Sequence, residues 1–255
     1  MSNPIATEIS DRIARIEINR PEKKNALTAA MYQALADALR AADADASVRV
    51  VLIQGQADCF CSGNDLKDFL ERPPHADNAP VFQFLEAISS AAKPLVAAVG
   101  GPAVGIGTTM LLHCDFVYAT PETRFQLPFV PLGIVPEAGS SLLLPMLAGY
   151  QRAAELLLLG KAFSADKALS AGILTEIVPA ADLLRHARQA AEAVAALPPE
   201  SVRLTKALMK KRNSAMIAEQ MAEEGRTLRA RLNSPEAKEA MTAFFEKRKP
   251  DFSRF

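Results

Sequence analysis

The sequence predicts an α/β fold with a helical C-terminal region. Short apolar runs rich in β-branched residues alternate with longer segments of helical periodicity over the first 180 residues. From residue 180 onward the pattern is helical throughout, and Pro198-Pro199 and Pro235 separate successive helices. With 255 residues, of which 49% are hydrophobic, the chain is long enough to bury a core without disulfides.

Strands are predicted where short apolar runs stand between turn residues. The first two strands flank the Ser10-Asp11 turn, and the third and fourth are uncharged enough to be fully buried. In chain order, the predicted strands are 5–9, 13–18, 48–54, 95–99, 116–119 and 175–178.

Helices are predicted where apolar residues recur every three to four positions. Thr28 is the expected N-cap of the first helix, and Gly172 ends the last helix before the C-terminal region. A loop with Pro73-Pro74 follows the second helix. The predicted helices are 29 to about 43, 65–70, 81–92, a segment from the glycine turn at 105 to about 113, 138–147, 152–159 and 165–171.

The charge balance argues against a nucleic-acid-binding protein. Lys+Arg and Asp+Glu both number 29, whereas a nucleic-acid-binding domain is expected to be strongly basic. Residues 201–255 nevertheless carry 13 basic and seven acidic side chains. This local surplus fits either contact with an anionic ligand or an ordinary solvated helical surface.

The cysteine content and the N-terminal residues point to a cytoplasmic protein. Three cysteines are present: Cys59, Cys61 and Cys114. An odd, low count fits a reducing compartment, and the three histidines are too scattered to suggest a metal site. The N-terminus lacks a targeting pattern. Glycine and proline interrupt the uncharged run 95–112, which favours a strand, turn and helix over a membrane span.

Glu137 is the only acidic residue between Glu122 and Glu155. Because its surroundings are nearly all apolar, its carboxyl group would be poorly hydrated, and its pKa would rise toward that of a general base. A structural interpretation fits equally well. Pro136 suits the first position of a helix, whose dipole favours an acid in the first turn.

Two turns could supply backbone N–H groups to a substrate oxygen. Ser62-Gly63-Asn64-Asp65 follows a strand-like segment, and Gly105-Ile106-Gly107 opens a predicted helix. Two such donors converging on one carbonyl oxygen would form an oxyanion hole. Glycine-rich turns are also common structural features, and Asp65 would have a purely structural role if it is the N-cap of its helix.

Taken together, these segments resemble the crotonase (enoyl-CoA hydratase/isomerase) superfamily over nearly the whole chain. The order and spacing of six segments carry the resemblance. They are INRPEKKNAL at 18–27, FCSGNDLKDF at 60–69, KPLVAAVGGPAVGIG at 93–107, CDFVYA at 114–119, FQLPFVPLGIVPEAGSS at 125–141 and AFFEKRKPDF at 243–252.

The resemblance implies a crotonase-like spiral of ββα units with a helical C-terminal trimerisation region. Residues 1–197 would form the spiral core with the CoA-thioester site, and residues 198–255 the oligomerisation region. A homotrimer or a dimer of trimers is therefore expected. The substrate would be an acyl-CoA, with coenzyme A as part of the substrate and no separate cofactor or metal.

The resemblance also assigns catalytic roles. By match, the backbone N–H groups of Asn64 and Ile106 would hold the thioester oxygen. Glu137 stands where the peroxisomal-type Δ3,Δ2-enoyl-CoA isomerases carry their catalytic acid, and the Asn64 side chain would help to orient it. The two glutamates of the hydratases would fall at Thr109 and Phe129, neither of which has a carboxylate.

The expected activity is transfer of a proton from C2 to C4 of a 3-enoyl-CoA by Glu137, through a dienolate held in the oxyanion hole. The alternatives are hydration of a 2-enoyl-CoA, another crotonase activity such as thioester hydrolysis, and non-catalytic acyl-CoA binding. The resemblance implies further residues that bind coenzyme A. These are Lys23, Lys24, Ala26, Leu27, Ser62, Asp65, Lys67 and Lys247, the last of them placed on the C-terminal helix.

Overall fold

A six-stranded sheet forms the centre of the computed structural model, which describes residues 3–72, 74, 76 and 78–255. Its strand order is β1-β2-β3-β4-β6-β9, in which only β1 runs antiparallel to its neighbour. A second sheet has the order β5-β7-β8. The strands are β1 (Ile5–Ser10), β2 (Ile13–Ile18), β3 (Val50–Gln54), β4 (Leu95–Val99), β5 (Pro102–Val104), β6 (Phe116–Ala119), β7 (Arg124–Gln126), β8 (Phe163–Ser164) and β9 (Glu176–Ile177).

Helices cover both faces of the larger sheet and form most of the C-terminal region, up to Phe245. They are α1 (Ala29–Ala44), α2 (Leu66–Glu71), α3 (Pro80–Ser90), α4 (Ile106–Thr109), α5 (Ser140–Ala148), α6 (Tyr150–Leu159), α7 (Ala165–Ser170), α8 (Leu183–Ala195), α9 (Pro199–Lys211), α10 (Ser214–Leu232) and α11 (Pro235–Phe245). The predicted α/β fold and helical C-terminal region are confirmed. Pro73 and His75 of the predicted loop lie outside the described residues.

The central strands are buried on both faces because each face meets a different layer of helices. Along β3, Val51 and Ile53 belong to the main core, which also contains α1 and α3. The alternate residues Val50 and Leu52 pack instead in a smaller core with α8. This two-residue alternation explains why β3 reads as a continuous apolar run.

The predicted strands of the larger sheet are confirmed within a few residues at their ends. Thr28 caps α1 by accepting a hydrogen bond from the Met31 N–H, as predicted. The second sheet was not predicted, because strands of two or three residues are too short to show a periodic pattern. No helix among the described residues has both the length and the apolar character needed to cross a membrane.

One predicted boundary is wrong in a way that matters for function. The helix predicted over 138–147 begins at Ser140, with Gly139 as its N-cap residue. Glu137 therefore precedes the helix and does not lie in its first turn. The backbone of Ala138 and Gly139 is left-handed, with φ of 61° and 68°, and this interrupts helical geometry before Ser140.

The C-terminal helices pack against the core of the same chain. Lys206 of α9 is buried, and its Nζ atom lies 2.7 Å from the Lys93 carbonyl oxygen and 2.7 Å from Asp115 Oδ2. Helix α10 packs on α3 and α5, and α11 lies so close to Gly133 that a Cβ there would meet Ala237 at 2.6 Å. The division into a core at 1–197 and an oligomerisation region at 198–255 stays a prediction.

Candidate active site

In the segment that precedes α2, the backbone N–H group of Asn64 points away from Leu27, the residue with which Asn64 pairs. Asn64 forms an isolated parallel bridge with Leu27, in which the Leu27 N–H donates to the Gly63 carbonyl and the Asp65 N–H donates to the Leu27 carbonyl. In this pattern the N–H of Asn64 itself faces the opposite side. No hydrogen bond found among the described residues uses it.

The second predicted donor, Ile106, is the first residue of α4. Gly105 precedes it with φ 55° and ψ −119°, a conformation that essentially only glycine adopts. The first N–H groups of a helix have no partner within that helix, and the described part of the chain offers none to Ile106. The Ile106 side chain is buried, so its backbone is firmly seated.

The two donor segments lie against each other. Cys61 pairs with Ala103 in a parallel bridge, and the Val104 N–H donates to the Cys61 carbonyl at 2.9 Å. A Cβ atom on Gly107 would meet the Cys61 carbonyl oxygen at 2.5 Å, so only glycine allows this approach. The structure therefore brings together the Asn64 and Ile106 turns that the sequence places some 40 residues apart.

Glu137 is buried, with 7% of its surface exposed, and its side chain contacts the same α4 helix. The Thr109 hydroxyl donates a 2.8 Å hydrogen bond to Glu137 Oε1. The backbone carbonyl oxygen of Glu137 accepts hydrogen bonds from the Ser140 N–H at 3.0 Å and from the Ser140 hydroxyl at 2.6 Å. Both ends of the residue are thus fixed by neighbouring groups.

Burial raises the pKa of Glu137 to about 7. The Thr109 hydrogen bond opposes this shift, and the nearby carboxyl group of Glu224 adds to it. The charge of Glu137 in turn contributes to the raised pKa values of Tyr32 and Cys61, for which burial is the larger cause. Glu137 is therefore close enough to Tyr32 and Cys61 for its charge to affect them, and its carboxyl group can exchange a proton near neutral pH.

The Asn64 side chain has a different partner from the one predicted. The Tyr32 hydroxyl donates a short hydrogen bond to Asn64 Oδ1. Within the part of the chain that the structure describes, no hydrogen bond joins Asn64 to Glu137. The expectation that the Asn64 side chain orients Glu137 is therefore wrong, because the Asn64 NH₂ group, which alone could donate to the carboxylate, makes no hydrogen bond to it and the Thr109 hydroxyl holds Glu137 instead.

Thr109 and Phe129, the positions at which the hydratases would carry glutamates, are both buried. Thr109 serves as a hydrogen-bond donor to Glu137. Phe129 has an apolar side chain and immediately precedes a short 3₁₀ helix, Val130–Leu132. Neither side chain can act as a general acid or base near neutral pH.

The predicted coenzyme-A residues fall into two groups. Lys23 and Lys24 are exposed, and Ala26, Leu27, Ser62 and Asp65 lie together beside the Asn64 turn, where the Ser62 N–H donates to the Lys24 carbonyl. The Asp65 side chain caps α2 and forms an ion pair with Arg20, at 2.8 Å from its Nη1 atom. These protein contacts occupy the Asp65 carboxylate, so a contact of this side chain with coenzyme A would have to compete with them.

The other two predicted lysines lie apart from that group. Lys67 is exposed on α2, 3.9 Å from Glu71. Lys247 was placed on the C-terminal helix, but α11 ends at Phe245 and Lys247 follows in a left-handed conformation with φ of 54°. The helix cannot continue through a left-handed residue, which is why the placement is wrong.

A cavity of about 520 Å³ adjoins the Asn64 turn. Leu27, Tyr32, Phe69, Pro80 and Val81 are among its lining residues, and most of its surface is apolar. Its volume and lining are typical of small-molecule sites. Two of its lining residues contact Asn64, Leu27 through the backbone bridge and Tyr32 through its hydroxyl, so the cavity lies beside the Asn64 turn.

Three side chains in or near the site were not identified from the sequence. Tyr32 is buried and its hydroxyl contacts Asn64. Asn25 is also buried, and its amide donates to the carbonyl oxygens of Cys59 and Phe60. Glu224 of α10 contacts the backbone just after Glu137. A residue with a hydroxyl group at a buried helical position indicates a hydrogen-bonding role for Tyr32. Nothing in the local sequence of Asn25 or Glu224 indicates their partners.

Comparison with known proteins gives one family for nearly the whole chain. The model of the family described as Enoyl-CoA hydratase/isomerase matches residues 8–254. The chain is 43% identical to the enoyl-CoA hydratase/isomerase of Pseudoalteromonas atlantica T6c, and the two structures superpose with a TM-score of 0.94 over 98% of this chain and 100% of that one. This similarity confirms the fold class expected from the resemblance.

Relatives with different names match similarly well. Human Enoyl-CoA delta isomerase 2 is 36% identical over 93% of this chain, which spans 62% of the human protein's length. The 2,3-dehydroadipyl-CoA hydratase of Escherichia coli K12 is 32% identical over 94% of this chain and 95% of its own. The family is therefore shared by proteins named for isomerisation and for hydration.

Proposed function

The chain belongs to the enoyl-CoA hydratase/isomerase family, and on that premise we propose that it isomerises 3-enoyl-CoA to 2-enoyl-CoA. The observation that carries the proposal is Glu137, a buried carboxyl group whose pKa is raised to about 7. Such a group can accept a proton and then return it at the same pH. Thr109 and Phe129, where hydratases of the family would carry glutamates, offer no second acid.

In the proposed complex, the thioester carbonyl accepts hydrogen bonds from the N–H groups of Asn64 and Ile106. Both donors belong to rigid backbone, so they can stabilise charge that develops on the oxygen without rearranging. The acyl chain would extend into the cavity beside Leu27 and Tyr32. The nucleotide and pantetheine would lie near Lys23, Lys24 and Ser62, with Lys67 or Lys247 in reach of the phosphates.

The proton transfer balances with one catalytic group. Glu137 takes a proton from C2, and the electron pair of that C–H bond moves into a dienolate whose negative charge lies on the thioester oxygen. Protonated Glu137 then gives the proton to C4, and the double bond comes to lie between C2 and C3. Because no electrons are gained or lost overall, the reaction needs no redox cofactor.

Thr109 supports this role by holding one carboxylate oxygen. Its hydroxyl is 2.8 Å from Glu137 Oε1 and fixes the plane of the carboxyl group. The hydrogen bond also lowers the pKa of Glu137 against the larger effect of burial. Isomerisation thus gains an oriented base that stays partly ionised at neutral pH.

Hydration of a 2-enoyl-CoA is the second candidate function. The observation in its favour is the match to hydratase-named relatives, including the Escherichia coli 2,3-dehydroadipyl-CoA hydratase. Water addition requires one group to activate water and a proton for the neighbouring carbon. Glu137 alone would have to perform both tasks, which makes hydration the weaker candidate.

A panel of 3-enoyl-CoA and 2-enoyl-CoA thioesters of several chain lengths tests the proposal. We expect conversion of 3-enoyl substrates, which the absorbance of the conjugated thioester product would report. Hydration of 2-enoyl substrates should be much slower. Free thiol release would report thioester hydrolysis in the same samples. Hydration as fast as isomerisation would contradict the isomerase assignment, and binding without any turnover would favour a non-catalytic acyl-CoA-binding protein.

A further inference from the structure

Glu224 is an acidic side chain in a buried position of the C-terminal region. It lies in the middle of α10 with 5% of its surface exposed, next to the buried residues Gly225 and Leu228. A buried carboxylate is unfavourable unless donors surround it. Its partners therefore indicate why it is there.

Three donors from one turn converge on Glu224. Its Oε2 atom accepts the Gly139 N–H at 2.6 Å, and its Oε1 atom accepts the Ser141 N–H at 3.0 Å and the Ser141 hydroxyl. Gln220, one turn earlier on α10, donates to the Ser141 hydroxyl oxygen at 2.9 Å. The first N–H groups of α5 are thus capped by a carboxylate from a helix some 80 residues away in sequence.

The capped turn is the one that follows Glu137. Ala138 and Gly139 are both left-handed, a conformation that is unfavourable for the non-glycine residue Ala138. His113 Nε2 lies 2.8 Å from the Ala138 carbonyl and can only be the donor there. His113 and Glu224 therefore hold the two sides of a strained turn that Glu137 immediately precedes.

We infer that Glu224 is a positioning residue for Glu137, which it holds in place by capping the Gly139–Ser141 turn. The inference rests on the proposed function only in treating Glu137 as the base. It gives α10 a part in the active site of its own chain, in addition to any role in oligomerisation.

The titratable groups around the turn leave Glu224 as the source of charge. Burial raises the pKa of Tyr32 and of Cys61, so both are neutral at pH 7. Burial lowers the pKa of His113 to about 4, with smaller contributions from Lys206 and Lys210 of α9, so it too is neutral. Burial raises the pKa of Glu224, and its hydrogen bonds from Ser141 and Gly139 oppose that shift by favouring the ionised carboxylate. The charge of Glu224 adds to the raised pKa of Glu137.

Glu224→Gln tests the inference, with Glu223→Gln as the matched control. The glutamine keeps the size of the side chain but loses the charge, and its NH₂ group cannot accept an N–H bond. We expect kcat for 3-enoyl-CoA isomerisation to fall at least roughly tenfold with KM near the wild-type value, because small displacements of a base are costly. The acidic limb of the kcat–pH profile should move to lower pH. Glu223 is exposed and pairs with Arg226, so its variant should match the wild type.

A lower melting temperature with unchanged kcat and an unchanged acidic limb would reduce Glu224 to a structural helix cap and overturn the inference. Should the Gln variant fail to fold, Glu224→Asp retains the charge and shortens the reach by one methylene. For this variant we expect a lower kcat, with the acidic limb of the kcat–pH profile at the same pH as in the wild type. Wild-type turnover of this variant would contradict the positioning role.

A titration without substrate separates this inference from the proposed function. The ¹³C carboxyl resonance of Glu137 can be followed against pH in the ligand-free wild type and in the Glu224 variants. A lower pKa of Glu137 in Glu224→Gln supports the inference even if the wild type shows no isomerase activity, in which case only the proposed function fails. An identical titration in both proteins counts against it.

Discussion

At the scale of single residues, the proposed chemistry depends on one carboxyl group in an apolar setting. Glu137 is 7% exposed, and burial is the main reason why its pKa is raised to about 7. The sequence allowed a second interpretation, in which Glu137 occupies the first turn of a helix. The structure excludes this placement, because α5 begins at Ser140 after two left-handed residues.

Glu137→Gln should remove isomerase activity while leaving the fold intact. The amide keeps the size and hydrogen-bonding capacity of the side chain but cannot accept the C2 proton. General base catalysis contributes roughly 100- to 10,000-fold, so we expect kcat to fall by at least about 100-fold with little change in KM. Initial rates on a 3-enoyl-CoA and circular dichroism measure both quantities. Normal turnover by the folded variant would defeat the mechanism.

The same substitution should change how stability depends on pH. The pKa of Glu137 rises from 4.5 to about 7 on folding, so the folded state disfavours its ionised form. Below about pH 4.5 both states are protonated and the wild type bears no cost; above about pH 7 the cost is complete, on the order of a few kcal/mol. Glu137→Gln should therefore gain stability relative to the wild type between these values. Melting curves of both proteins at pH 5 and pH 8 measure this change. The same stability difference between variant and wild type at both pH values would contradict the prediction.

At the scale of elements, the start of α4 supplies both a backbone donor and the Thr109 hydroxyl. The Ile106 N–H opens the helix, and Thr109 ends it one turn later with its side chain on Glu137. Gly105 and Gly107 permit the turn and its close contact with Cys61. A four-residue helix thus links the proposed oxyanion hole to the proposed base.

Ile106→Pro tests the backbone donor, with Ile106→Val as its control. Proline fits the first position of a helix but has no N–H, whereas valine retains the N–H and most of the buried surface. Loss of one oxyanion donor typically costs roughly 100-fold or more in turnover. We expect that loss for the proline variant and near-normal kcat for the valine variant. A folded, fully active proline variant would eliminate Ile106 as a donor.

At the scale of the whole molecule, the C-terminal helices complete the core and present apolar side chains outward. Helix α10 buries Leu228, and α11 buries Ala237 and Met241. On α9, by contrast, Leu208 and Met209 are 70% and 72% exposed. This exposed surface is compatible with the predicted homotrimer or dimer of trimers.

Light scattering at micromolar concentration should therefore report a trimer or hexamer. A chain truncated after residue 200 should be insoluble, because it would lose the Lys206–Asp115 contact and expose the core surface covered by α10 and α11. If the full chain is monomeric, the oligomerisation role is wrong. A soluble and active truncation would also contradict the placement of Glu224 at the site.

The main elements of the fold follow from local sequence patterns. Val50–Gln54 and Leu95–Val99 are predictable because central parallel strands are buried on both faces and leave uninterrupted apolar runs. Strands β5, β7 and β8 are not, because two or three residues carry no periodicity. The Lys247 placement failed for a similar reason, since one left-handed residue ends a helix without a strong compositional signal.

The sequence by itself determined the α/β layout, the apolar setting of Glu137 and the two glycine-containing turns. Residue type alone sets hydrophobicity, which decides burial, and the range of backbone conformations, which is widest for glycine. Only the tertiary structure decided which groups meet there. Thr109 holds Glu137, Tyr32 holds Asn64, and Glu224 caps the start of α5 from a distant helix. Such partners are chosen by geometry across the fold, and a hydrogen bond spanning some 80 residues leaves no mark on the local pattern at either end.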